Sequence, residues 1–81
     1  MSLPRDVSGR ELAVLLRRHY GYTIARQTGS HMRLVTTNGG VHRVTIPASG
    51  PLRVGTLAAI LSEVARHFDV DRSELEGRLF G

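Results

Sequence analysis

His31 and Arg33 stand two residues apart in Thr28-Gly29-Ser30-His31-Met32-Arg33-Leu34, directly after a small polar turn. An imidazole changes charge near neutral pH and can move protons, and a guanidinium grips phosphate oxygens through its planar fork. The pair therefore suits a phosphate-bearing partner. Turn followed by apolar/basic alternation is the pattern of a strand leaving a hairpin, which sends His31 and Arg33 to one face and Met32 and Leu34 to the other. A lone surface histidine is ordinarily just a solvated polar residue. A chemical role requires that neighbouring elements gather further phosphate-binding groups beside it.

Those elements follow from the chain on either side. Ser8 precedes Glu11 by three positions, the spacing of a capping box, so a helix is expected to start there and to stop at Gly21. Leu12, Leu15, Leu16 and either His19 or Tyr20 share one helix face. Residues 22–27 favour a strand. A three-residue loop, Thr28-Gly29-Ser30, sets Ile24 opposite Leu34 in the core and leaves Ala25 and Gln27 on the solvent face with His31 and Arg33. The second strand is expected to run to about Thr37. Asn38-Gly39-Gly40 turns the chain into a third strand, residues 41–47, with Val44 and Ile46 inward and Arg43 and Thr45 outward. His42 has the wrong parity to join His31. Beyond the Pro47-to-Pro51 loop, Thr56 is the expected cap of a helix whose stripe is Leu57, Ile60, Leu61, Val64 and Phe68. Arg53, beside Gly55-Thr56, is placed to meet a phosphate at that helix start. Asp71-Arg72-Ser73-Glu74 repeats the capping-box spacing and predicts a last short helix to about Leu79.

Composition bounds the partner. The chain has 81 residues, read as a single domain over 1–81 with its core in 8–68 and a helical extension over 69–81. It has no cysteine, so neither disulfides nor thiolate metal sites can support it, and a reducing cytoplasm is the expected compartment. No signal core is visible and no apolar run approaches the ~20 residues that span a bilayer. All 11 basic residues are arginine and the net charge is +4. From Leu12 through Ser62 there is no carboxylate, although six arginines lie in that stretch. A one-signed section of this kind attracts polyanions, nucleic acid foremost. The four histidines are scattered and the acids remote, so no metal or other cofactor is expected.

The order helix, three antiparallel strands, helix defines an α+β fold like that of double-stranded-RNA-binding domains, with both helices on one sheet face and a short C-terminal helix added. With these motifs in place the sequence resembles the HicA mRNA-interferase toxins. The resemblance rests on Leu15-Leu16, Gly21-Tyr22, Arg26-Gln27-Thr28-Gly29-Ser30-His31, Val44-Thr45-Ile46-Pro47 and Gly55-Thr56-Leu57 with Ile60-Leu61, and covers roughly residues 8–68. It implies a bacterial toxin that cleaves mRNA, His31 as the catalytic residue within a Gly29-Ser30-His31 motif, and a HicB antitoxin as partner. Met32 stands where members often carry a polar or aromatic residue. The 69–81 extension exceeds the shortest members and is available for the antitoxin or a second copy, as in a heterotetramer or a homodimer.

Metal-free RNA cleavage needs the 2′-hydroxyl deprotonated, the leaving oxygen protonated and the phosphorus centre's charge stabilised. His31 is the one well-placed proton carrier. Arg33 or Arg43 is assigned to phosphate, and Ser30, Gln27 or Thr45 to orienting substrate. Two other classes compete: a non-catalytic RNA-binding module, and a protein-interaction domain using the same basic face.

Overall fold

The computed structural model describes residues 3–81; Met1 and Ser2, which begin the segment read above as lacking a signal core, lie outside the described residues. Ser8 opens the first helix, α1 (Gly9–Tyr20), by accepting the Glu11 amide at 3.0 Å on its hydroxyl. Gly21 closes it in the left-handed region at φ 72°. A β-carbon at Gly21 would collide with the Asn38 amide, and one at Gly9 would overlap the Pro47 carbonyl, so both ends of α1 press against the sheet's connections. Tyr20, not His19, is the buried residue on the helix's last turn, and His19 stays half-buried.

Three strands follow: β1 (Thr23–Thr28), β2 (His31–Thr36) and β3 (His42–Pro47), paired antiparallel in the order β1-β2-β3. Between β2 and β3 the register is regular, with Met32 opposite Ile46 and Leu34 opposite Val44. All four side chains are buried beneath the helices. Then come α2 (Val54–Phe68), which buries Leu57, Ile60, Leu61, Val64 and Ala65, and α3 (Arg72–Phe80), which adds Leu75 and Leu79 to the same core. Each such aliphatic side chain removed from water contributes ~1.5–3 kcal/mol. That is how a short chain without cysteine holds together.

Several details differ from the sequence expectation. Gly29 and Ser30 alone form the first loop, since Thr28 pairs with His31. Gly29 at φ 56° takes the position that a tight hairpin gives to glycine. A bulge at Ala25 absorbs the slip, so Ile24 still pairs with Leu34 while Gln27 now pairs with Met32. Ile24 does not enter the core: it is 51% exposed, because the helix layer stops short of β1. The β2–β3 connection takes residues 37–41, so β2 ends and β3 begins one residue inside the expected limits, while β1 is displaced one residue toward the turn. Helix α2 starts before Thr56, with Arg53 at the N-cap, and among the described residues neither Arg53 nor Asp71 makes a side-chain capping bond. Arg72 instead pairs with the buried Glu76 at 2.7 Å, one turn along α3.

Candidate active site

The hairpin tip is fixed from both sides. The Ser30 carbonyl accepts the Ala48 amide, which ties the turn to the chain leaving β3. The Leu52 amide donates to the Val7 carbonyl at 2.7 Å, and Ser8 bridges Pro51, so this exit loop is itself anchored at the start of α1. His31 is therefore the first residue of a strand whose origin is held by backbone bonds. Its ring is exposed on the face away from the helices, since Met32 and Leu34 are fully buried on the other side.

Around His31 a shallow hollow of about 210 Å³ is lined by Arg26, Thr28, Arg33 and Thr45. The pairing explains the set. Thr28 lies directly across from His31 on β1, Arg26 faces Arg33, and Thr45 faces Arg33 from β3. One imidazole, two guanidiniums and two hydroxyls thus converge, and among the described residues no carboxylate lines the hollow. Such a surface holds phosphate oxygens and leaves a titratable ring beside them.

The sequence-assigned residues divide accordingly. His31, Arg33 and Thr45 are brought together. Arg43 shares their face but pairs with Val35, four residues along from His31, roughly 13 Å at strand spacing. It lines a different recess, shared with Thr56 and Glu63 of α2. Arg53, at the α2 N-cap, is exposed and lies outside the hollow. Gln27 is a correction: opposite Met32 it belongs to the helix side, where it lines a separate recess with Arg10, Gly29 and Ser30. Arg26 and Thr28 take its place. The regular ladder assumed for β1 hid them, although Gly-Ser between two β-favouring runs is a signal for a two-residue turn.

The other end of β2 carries a second histidine cluster. His42 pairs with Thr36 and is half-buried, with its Nδ1 2.7 Å from the Tyr22 hydroxyl. Its ring stacks on His67 at 4.5 Å and 11°. The His67 Nε2–H donates to the Asn38 carbonyl at 2.8 Å. Burial first, and the neighbouring His67 second, hold the His42 pKa below the ordinary value against an opposing pull from Glu63. Burial, followed by Glu63, pushes the Tyr22 hydroxyl up, so the phenol stays protonated beside the His42 ring. Among the described residues no group of three or more histidine, aspartate, glutamate or cysteine side chains is arranged to hold a metal ion.

Residues 9–65 match the family model described as the HicA toxin of bacterial toxin-antitoxin. The chain belongs to the HicA toxin family. Neither the comparison with curated proteins nor that with solved structures yields a match. The HicA match runs from the first residue of α1 into the last turns of α2, so it contains the whole His31 hollow and leaves α3 outside. Membership assigns the chain the role of toxin in a toxin-antitoxin pair and implies an antitoxin partner. Among the described residues no helix is long and apolar enough to cross a membrane.

Proposed function

We propose that this HicA-family toxin is a metal-independent endoribonuclease, an mRNA interferase, in which His31 exchanges protons with the ribose 2′-hydroxyl or the leaving oxygen. The observation that carries the proposal is the exposed imidazole in a carboxylate-free hollow between Arg26 and Arg33. Those guanidiniums hold the scissile phosphate and offset the charge that grows on it, while Thr28 and Thr45 offer hydroxyls to orient the ribose. Gly29 and Ser30 act through the backbone, by fixing where β2 begins. Arg43 and Arg53 serve phosphates further along the strand. An antitoxin of the HicB type is the partner that silences the toxin.

The test is cleavage of single-stranded RNA by the purified full chain in excess EDTA, with the product ends identified. Cleavage leaving a 2′,3′-cyclic phosphate, lost when the scissile ribose lacks its 2′-hydroxyl and lost in His31→Ala, is the expected result. Cleavage that needs an added divalent ion, or that survives His31→Ala, overturns the assignment. Binding without cleavage by the unaltered chain favours a non-catalytic RNA-binding module.

A further inference from the structure

A second surface lies on the opposite side of the sheet. Between α1 and β1 runs a groove of about 530 Å³ whose walls are Ala13 and Val14 from the helix and Ile24 from the strand, with Met32 and Leu34 beneath. Val14 is 54% exposed and Ile24 51%, large apolar side chains facing each other across a gap that the fold leaves open. Arg10 and Arg17 line the same groove. All six residues of β1 are exposed and, among the described residues, no strand pairs with its outer edge, so its outward backbone groups are free. An apolar trough, a basic rim and a free strand edge lie side by side.

We propose that this groove docks an acidic polypeptide segment in extended form, laid along β1 with apolar side chains in the trough and flanking carboxylates on Arg10 and Arg17. Edge addition of a strand provides main-chain bonds, and pockets for alternate side chains select the sequence. The charge pattern decides among occupants. A second copy of this chain would set Arg10, Arg17 and Arg26 against their own equivalents, and the bulge at Ala25 further discourages such self-pairing. RNA would press phosphates onto Val14 and Ile24, whereas an acidic segment satisfies both the apolar walls and the rim. Groove and His31 hollow are on opposite faces of the sheet, so side chains seated in the groove do not enter the hollow. The docking proposal does not depend on the chain cleaving RNA.

The experiment titrates the ¹⁵N-labelled full chain with a blocked peptide of valines alternating with threonines and flanked at both ends by glutamates, beside an oligoglutamate of equal charge and a short single-stranded RNA. Saturable amide shifts at residues 10–17 and 23–28, with slowed exchange of β1 amides, are expected from the alternating peptide. Oligoglutamate is expected to bind at least about tenfold more weakly, since loss of central apolar anchors costs that much or more. Ile24→Asp and Val14→Asp, both at exposed positions, are each expected to weaken the peptide by about tenfold while helix and sheet content stay unchanged. Equal binding of oligoglutamate, shifts confined to the His31 face, RNA shifting the groove residues, or no saturation by the alternating peptide would each overturn the proposal.

Discussion

The two ends of β2 carry histidines in opposite circumstances. At the His31 end the ring is exposed beside two arginines, and the sheet finishes in a tight turn with the helices on the far side. At the Thr36 end, His42 is half-buried, bonded to Tyr22 and stacked on His67, with Phe68 and Tyr20 packed beyond. Pleat parity makes the difference: odd positions of β2 face water and even positions face the helices, and cross-strand partners inherit the side. A ring on the helix side is consumed by the fold. Only the ring on the open side is free to meet a substrate, so a count of histidines says little until each is assigned a face.

Exchanging the effects of two single substitutions is the sharpest way to break this contrast. His31→Ala is expected to lower RNA cleavage by around 10²–10⁴, the range of a lost acid-base group, with an unchanged melting temperature. His42→Ala is expected to do the reverse, leaving the cleavage rate of the folded protein intact. Rates and melting curves of the two variants side by side check it. If His42→Ala also abolishes cleavage at full stability, the closed end is part of the catalytic machinery.

Next in size is the division among arginines. Arg26→Gln and Arg33→Gln are each expected to slow cleavage by about 10–100-fold, the ~1.5–3 kcal/mol of a hydrogen bond to a charged group. Each also removes ~0.7 from the slope of log affinity against log salt for single-stranded RNA. Arg43→Gln, two rungs away, is expected to change the salt slope only for RNA long enough to reach it. Equal losses from all three arginines on a dinucleotide would dissolve the distinction between hollow and flank.

The sequence reading succeeded where one residue type forces one outcome. Ser8 with Glu11 set the start of α1, Gly21 its end, and the even positions of β2 and β3 set the core-facing row. The outer row followed by parity, which is why His31, Arg33 and Thr45 were legible. β1 was not, because its residues carry little apolar alternation to fix a register, and a bulge lets either loop length keep Ile24 opposite Leu34. That single extra residue moved Gln27 out of the site and Arg26 and Thr28 into it. The cluster at the closed end was hidden for another reason: His42 and His67 lie 25 positions apart and meet only once α2 has packed. Capping-box spacing at Asp71 also marked a real helix start, with Asp71 at the N-cap of α3, although among the described residues its side chain makes no capping bond.

Stability tests the closed end directly. His42→Ala strips the Tyr22 hydroxyl of its partner, and His67 loses the ring it stacks on. An unsatisfied, largely buried polar group costs ~1–3 kcal/mol, and in a domain of this size each kcal/mol lowers Tm by ~4–8 °C. Thermal unfolding followed by circular dichroism is the measurement. A shift no larger than that of an exposed substitution such as Arg53→Gln would show the cluster to be ornamental.

The smallest effect is the pH dependence of the same cluster, and it turns on a sign. His42 binds a proton less readily in the folded chain than in the unfolded one, because burial, and then the adjacent His67, disfavour its charged form. The unfolded state therefore holds more protons just below the ordinary histidine value of about 6.5, so this contribution to stability is whole above that pH and is lost as pH falls. Glu63 works against the loss by favouring the charged ring, while Arg43 and Arg66 line the same recess as cations, and Tyr22 faces His42 as a neutral hydroxyl. Melting temperatures of the unaltered chain and of His42→Phe, compared between about pH 7.5 and about pH 5.5, isolate the term, since every other group titrates in both. The unaltered chain is expected to lose more Tm over that interval. Identical losses would mean that His42 takes up its proton as freely in the fold as out of it, and the closed end would then be no more closed to charge than the open one.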